Sequence, residues 1–433
     1  MPFSQTPTYN LKAVLKETGI TADTLRAWER RYGLPMPERT PGKHRLYSSY
    51  DIETVKWLMK RQSEGLSISH AVELWRKQIA SGADPLADSA KQAVMPTNRL
   101  NLEATRSDWV NACCQFDTLK AEQILNEAFA VNSVELTCAE VMMRGLHEIG
   151  ELWLKNRVSV QQEHFASAIA MRRLEALMNA APAPSHPESI LAACPPNEWH
   201  AFPTLLLSLF LRRRGWNVIY LGANVPTDHM EETIDSVHPK LVILSAQTLL
   251  TAVSLREMVR MLNRKEIQSA YGGRVFNYVP GIKEVIPAHF LGNTIEYSVP
   301  QIESLVSNPL PAPSDHEIDA NILRLAMEYK QKRVLIEAAL LDNLKSQEHP
   351  IDYINTAVLF FGDTLTAALE LGDINYISPE VEWLINMLVE HNISVFLLPA
   401  FLEAYANAVQ PVMGDMGKPI VDWISMENQK LRT

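Results

Sequence analysis

The stretch Ala193-Cys-Pro-Pro-Asn-Glu-Trp-His-Ala-Phe-Pro203 decides how this chain is read. Before it, residues 189–193 form a short apolar run, which predicts a buried strand. After it, residues 204–214 are rich in leucine and phenylalanine and end in basic residues, which predicts a helix. A strand-to-helix loop at the carboxyl edge of an open parallel sheet is where such folds bind ligands. His200 lies in this loop, two residues after Glu198. A loop histidine is by itself more often a solvated side chain, so its neighbours decide.

Residues 189–307 alternate short apolar runs with longer amphipathic ones. Strands are expected over 189–193, 217–221, 241–245, 269–271 and 289–291, with helices over 203–214, 228–236, 252–263 and 280–285. That alternation predicts a doubly wound, five-stranded parallel α/β domain of flavodoxin-like type. His200, Ser245 and the pair Gly272-Gly273 then fall at the carboxyl ends of the first, third and fourth strands. A Gly-Gly pair alone is more often a tight turn, but the three features together point to one ligand-binding edge.

The 433 residues suggest about three domains, at roughly 150 residues each. With 47% hydrophobic and 21% charged residues the chain can bury sizeable cores, which excludes wholesale disorder. No apolar run reaches the ~18 residues of a membrane helix, and the N-terminus lacks the layout of a secretory signal. The four cysteines, Cys113, Cys114, Cys138 and Cys194, have no metal-ligand spacing. A reducing cytoplasm and no membrane partner are therefore expected. Charge is unevenly placed: residues 1–78 hold 13 basic against 8 acidic side chains, +5, and the remainder 27 against 42, −15. A basic end on an acidic body directs only the N-terminal part to a polyanion.

Within that basic end, residues 9–19 and 21–32 predict two short helices separated by Gly19, a helix-turn-helix. The second carries Arg26, Arg30, Arg31 and Tyr32. A hairpin turning at Pro41-Gly42 follows, with Arg39, Lys43, His44, Arg45 and Tyr47 on its two arms. Ser48-Ser-Tyr-Asp51 matches a capping box before a helix over 52–62, closed by Gly65.

Beyond residue 80 the chain reads as linker, then as a four-helix bundle over 101–181, then as the α/β domain over 188–307. A Pro-rich linker over 308–314 leads to an acidic all-α domain over 315–433, with 8 basic and 18 acidic residues. That last domain shows no metal triad, phosphate loop or catalytic constellation. Its aromatics Phe360, Phe361, Trp383, Phe396, Phe401 and Trp423 read as core, as do Met413 and Met416, although they could line a pigment pocket.

The N-terminal motifs Thr24-Leu-Arg-Ala-Trp-Glu-Arg-Arg-Tyr-Gly33, Arg39, His44-Arg-Leu-Tyr-Ser48 and Asp51-Ile52 resemble the winged helix-turn-helix of the MerR family of transcription regulators. The resemblance implies double-stranded operator DNA as partner and a homodimer, with the second helix in the major groove and the wing along the backbone. Glu198-x-His200 resembles the D-x-H-x-x-G loop of cobalamin-binding domains, with Glu198 for the acid and Pro203 for the glycine. It implies that His200 is the lower axial ligand of cobalt. Ser245, Gly272 and Gly273 would make room for the dimethylbenzimidazole tail. Trp153-x9-Glu163-His164, with Val160 between, resembles the cap of the light-responsive cobalamin regulators of the CarH and LitR type, whose domain order is the same.

This second resemblance, over roughly residues 9–305, implies adenosylcobalamin as cofactor. Trp153 would lid its adenosyl group, Glu163 would hydrogen-bond it, and Val160 and His164 would line the cap. It further implies a repressor whose oligomer state, dimer or tetramer, is set by cofactor and light. Three departures matter: Leu154 stands where that family can carry a cobalt-capturing histidine, Pro203 replaces a glycine, and the domain over 315–433 is additional. Two other regulator readings remain, one with no cobalamin and a protein partner, and one sensing a different pigment or metabolite at the C-terminal domain. A cobalamin-dependent methyltransferase or mutase subunit belongs to another class. It lacks support, because no segment repeats strand and helix eight times as a substrate-activating barrel would.

Overall fold

The computed structural model describes residues 6–39, 45–63, 67–80, 85–86, 99–345, 351–391, 393–395 and 397–432. The chain divides into two compact units, 1–102 and 103–433.

The first unit runs β1 (Tyr9–Asn10), α1 (Leu11–Thr18), α2 (Ala22–Tyr32), β2 (Glu38–Arg39), β3 (Arg45–Tyr47), α3 (Ser49–Ser63) and α4 (Ile68–Ala80). Asn10 caps α1 by accepting from the Ala13 amide at 3.0 Å, and Gly19 closes it at φ 72°. Gly33, at φ 69°, closes α2. Both glycines occupy the left-handed conformation that β-carbons disfavour. Tyr9, expected to open a helix, instead pairs antiparallel with Tyr47, and Asn10, the cap as expected, pairs with Leu46, so β3 is the middle strand of three. The strand ends on the cap itself, because α1's first amides need Asn10 outside the helix. Ser48 and Asp51 form the expected capping box, the Ser48 amide donating to Asp51 at 2.9 Å and the Asp51 amide to Ser48 Oγ at 3.1 Å. Leu25, Trp28, Val55, Leu58 and Trp75 make the core. The turn at 41–42, the stop at Gly65 and most of the linker expected over 81–100 lie outside the described residues, and residues 99 and 100 of that linker are helical instead.

The second unit begins with helices α5 (Arg99–Cys114), which crosses the division, α6 (Thr118–Val131), α7 (Val134–Thr137), α8 (Arg144–Leu154) and α9 (Val160–Asn179). A π turn, Cys138–Met143, joins α7 to α8, giving four rods, as expected. Gly145 is demanded by packing: a Cβ there would lie 2.8 Å from the fully buried Trp109 ring.

The α/β layer follows as β4 (Ser189–Ala193), α10 (Phe202–Arg213), β5 (Asn217–Gly222), α11 (Met230–Val237), β6 (Leu241–Ser245), α12 (Leu249–Arg264), β7 (Ser269–Gly272), α13 (Val275–Tyr278), β8 (His289–Phe290) and α14 (Ile295–Ser307). All strands are parallel, in the order β5-β4-β6-β7-β8. Counted from β4 this is 2-1-3-4-5, the flavodoxin-like order, and its switch point lies where the chain leaves β4 and β6. The helix expected over 280–285 is replaced by α13 and a 3-10 turn, Ile282–Val285. Pro280 and Gly281, the latter at φ 77°, interrupt it.

The last part holds α15 (Ala320–Lys345), α16 (Ile351–Leu371), α17 (Ser378–Glu390), α18 (Leu397–Met413) and α19 (Lys418–Arg432). Residues of α12 such as Leu255, Val259 and Leu262 belong to one continuous hydrophobic cluster with Leu365, Ala368 and Leu369 of α16. The Pro-rich segment is laid along the α/β layer, with Leu310 O accepting from Gln268 at 3.3 Å and Asp315 bridging Arg260 at 2.7 Å and buried Arg256 at 3.4 Å. Phe361 and Trp423 are core, as read, but Met416 is exposed. Phe396 lies outside the described residues. No described helix is long and apolar enough to cross a membrane.

Candidate functional site

The β4–α10 loop is built on one buried carboxylate. Glu198 is wholly buried, yet both its oxygens are saturated. Oε1 accepts from the His200 amide at 2.9 Å and lies 2.7 Å from His200 Nδ1. Oε2 accepts from the Gln247 amide at 2.6 Å and from Thr251 Oγ1 at 2.8 Å. The loop after β4 is thereby stitched to the loop after β6. A second stitch reaches the loop after β5, where the Asn224 amide donates to Glu198 O at 2.8 Å and Asn224 Oδ1 accepts from the Asn197 amide at 2.8 Å. Asn197 and Asn224 sit at φ 67° and 50°, a region asparagine tolerates better than most residues. Pro203 falls in the first turn of α10, where its missing amide costs nothing.

Burial pushes the Glu198 carboxyl upward, but the hydrogen bonds from His200, Thr251 and Gln247 outweigh it and hold the group below its ordinary value. His200 is raised, first by its hydrogen bond to Glu198, against the opposing effect of burial. The Glu163 carboxylate, from the start of α9, adds to the rise and the Arg274 guanidinium opposes it. The His200 side chain is 69% exposed, and with Nδ1 engaged its Nε2 has no hydrogen-bond partner among the described residues. A carboxylate that fixes one imidazole nitrogen and leaves the other free is how a metal-binding histidine is commonly held in orientation.

The neighbouring strand ends carry the other expected residues. Ser245 Oγ, buried at the end of β6, accepts from Gln247 Nε2 at 2.9 Å, and Gln247 Oε1 accepts from the Arg274 amide at 2.9 Å. Of the two glycines only Gly273 is demanded by the fold. It sits at φ 126°, and a Cβ there would lie 1.9 Å from Ala246 O. A Cβ on Gly272 would meet open space.

On the bundle side, Ser159 and Gln162 form a capping box that starts α9. Its first turn presents half-exposed Val160, then Glu163, which accepts from Ser167 Oγ at 2.7 Å and faces His164 Nδ1 at 2.8 Å. His164 is exposed. Trp153, at the end of α8, stacks on Trp383 of α17 with ring centroids 6.5 Å apart. Glu163 lies near enough to His200 for its charge to be felt there, with Val160 and His164 beside it at the start of α9, and Trp153 turns its ring to the C-terminal helices.

The N-terminal unit presents a separate face. Arg30 and Arg31 of α2 are exposed, and Arg26 is half-exposed, 4.0 Å from Asp23. Tyr32 bonds Ser69 at 3.1 Å. Tyr47, expected to touch DNA, is fully buried and donates to Glu29 at 2.6 Å, while Arg45 bonds the other oxygen of Glu29 at 2.8 Å. These two lock the wing to α2; a buried hydroxyl cannot reach a phosphate, so Tyr47 is corrected to a structural role. The Arg39 backbone pairs with Arg45, whereas Lys43 and His44 lie outside the described residues.

Glu29, Asn224, Gln247, Thr251 and His391 were not legible as site residues, and Trp383 was read as core or as lining for a pigment pocket, not as a neighbour of Trp153. Only Thr248-x-x-Thr251 left a signal, and it reads simply as a helix start.

Residues 9–78 match the family model of the MerR HTH family regulatory protein, and residues 106–178 and 188–287 match two models of the B12 binding domain. The chain is 30% identical over 257 residues to the HTH-type transcriptional repressor CarH of Myxococcus xanthus, spanning 59% of this chain and 85% of that protein. It is 33% identical over 241 residues to the HTH-type transcriptional repressor CarA of the same organism, spanning 55% and 76%. The HTH-type transcriptional regulator MlrA of Escherichia coli K12 is 26% identical over 152 residues, 35% of this chain and 61% of that one.

Proposed function

The chain belongs to the family of CarH-type transcription regulators, which joins a MerR helix-turn-helix to B12 binding domains, and from that premise we propose a light-responsive adenosylcobalamin sensor that represses by binding operator DNA. The single observation that carries the sensor reading is His200, its Nδ1 fixed at 2.7 Å by Glu198 and its Nε2 free at the sheet's switch point. The donor set fits a corrin: His200 would hold cobalt from below, and Ser245, Gly272 and Gly273 would edge the space for the nucleotide tail. Gly272 adds no side chain to that edge, and Gln247 positions the Ser245 hydroxyl. Trp153, Val160, Glu163 and His164 would form the upper lid, an indole and an aliphatic giving apolar cover and a carboxylate accepting from hydroxyls.

Bound adenosylcobalamin supplies a cobalt–carbon bond that light can break. What the chain does with that event follows from its own packing. The first turn of α9 is tied to α5 by Gln162, which donates to the Cys114 carbonyl, and the His200 loop is tied to the sheet by Glu198, so a group between them would set how bundle and sheet engage. That arrangement determines which copies of the chain associate, dimer or tetramer, and so how many recognition helices reach one operator. Arg26, Arg30 and Arg31 on α2 would read the major groove, with Arg39, Lys43, His44 and Arg45 near the backbone.

The test is purification of the full chain with adenosylcobalamin in darkness, recording the absorption spectrum, elution volume and operator binding before and after green light. Retained corrin absorption, lost in His200→Ala, and a light-dependent shift in elution volume are expected. Absence of bound corrin would reject the cofactor. A bound corrin with no light-dependent change would reject the photoswitch alone.

A further inference from the structure

Helix α17 spans from the α/β layer to the bundle. Near its start, Glu380 accepts a hydrogen bond from Tyr278 of α13, the helix that follows Gly272-Gly273. In its second turn Trp383 stacks on Trp153 with the ring planes tilted by 29°. At its C-cap His391 meets the same Trp153 ring edge-on, centroids 6.3 Å apart and planes at 68°. The Nε2 atom of His391 is buried and has no hydrogen-bond partner among the described residues. The ring neighbours of Trp153 therefore both come from the C-terminal part of the chain, beyond the residues that match the B12 binding domain, which end at 287.

Two physical consequences follow. An indole clamped on its face by one ring and along its edge by another is fixed in orientation, so its place is set by α17 as much as by α8. A buried imidazole nitrogen with nothing to bond is an uncompensated polar group. It is relieved if a bound molecule brings a polar atom to it. We propose that α17 is an outer wall of the cobalamin cleft, in which Trp383 and His391 position the Trp153 lid and so select the group that cobalamin carries on its upper face. This rests on the reading of Trp153 as the lid. It gives the C-terminal helices a part in ligand choice, with His391 offering its free nitrogen to hydroxyls of a nucleoside-like substituent.

The experiment compares the full-length chain with Trp383→Ala, Trp383→Phe and His391→Ala. Dissociation constants are measured in darkness for adenosylcobalamin, which has a large upper substituent, and for hydroxocobalamin, which has a small one. Trp383→Ala and His391→Ala are expected to weaken adenosylcobalamin about tenfold, the loss of one aromatic or polar contact, while hydroxocobalamin changes less than about twofold. Trp383→Phe keeps a stacking ring and restores most of the preference. Equal weakening of both corrins, or no change in either, overturns the selective wall and leaves the His200 anchor standing. A wild-type chain that holds neither corrin removes the cofactor reading and this inference with it.

Discussion

Glu198 Oε1 sits 2.7 Å from His200 Nδ1 while Oε2 of the same carboxylate holds the loop after the third strand of the sheet. One buried side chain therefore orients the candidate cobalt ligand and closes the floor on which it stands. Glu198→Gln keeps the shape but turns one acceptor into a donor facing the Gln247 amide, and should cost about 2–3 kcal/mol in denaturant unfolding. The acid dependence follows in sign. Because the folded carboxyl is depressed below its ordinary 4.5, its contribution is present above pH 4.5 and fades as pH falls through the lower folded value. Unfolding free energies of wild type and Glu198→Gln should converge on acidification. A gap that persists unchanged below that range would contradict the assignment.

Gly273→Ala and Gly272→Ala separate two adjacent glycines. A Cβ on Gly273 would collide with Ala246 O at 1.9 Å, backbone that cannot step aside, at φ 126°. We expect a loss of about 3 kcal/mol or more. Gly272→Ala projects into open space and should stay within about 0.5 kcal/mol in stability. If Gly272 edges the tail pocket, the same substitution weakens corrin retention in an otherwise intact fold, which gel filtration with cobalamin reads directly.

Tyr47→Phe and Arg30→Ala distinguish scaffold from contact in the N-terminal unit. Removing the Tyr47 hydroxyl leaves one oxygen of Glu29 short of a donor and should lower stability by about 1–3 kcal/mol. Exposed Arg30 has no ion pair among the described residues, so Arg30→Ala should leave melting unchanged. It should instead weaken operator binding, and reduce the salt dependence by about one counterion if the contact is to phosphate.

Asp315→Ala tests how the Pro-rich segment is held. It strips Arg256, which is 4% exposed, of its carboxylate partner and leaves, among the described residues, the Glu370 and His316 carbonyls. A loss of about 2–4 kcal/mol is expected, measured by thermal or denaturant unfolding. A neutral result would show that the carbonyls suffice.

Periodicity and short loops made the parallel sheet legible, because strands 189–193 and 241–245 are continuous apolar runs bounded by turn formers. The helix-turn-helix was legible for the same local reason: Asn10, Gly19, Gly33 and the Ser48–Asp51 box are punctuation read within four residues. The connections of Glu198 were not. Gln247 and Thr251 lie 49 and 53 residues from it, and nothing local in a glutamine or threonine announces a distant buried acid. Tyr47 misled because a tyrosine among basic residues suits a phosphate as well as a carboxylate; only its burial against Glu29 decides. Trp383 and His391 were beyond reach because their partner is 230 residues or more away, on an element whose own pattern reads as bundle.

The hydrophobic cluster that runs without a seam from α12 into α16 governs how this protein can be handled. Cutting the chain after the Pro-rich segment would lay bare the flank of α12, and the shortened product should aggregate rather than report on ligand. In the calorimeter, sheet and tail should melt as a single endotherm, so no temperature exists at which the sheet outlasts its appendix.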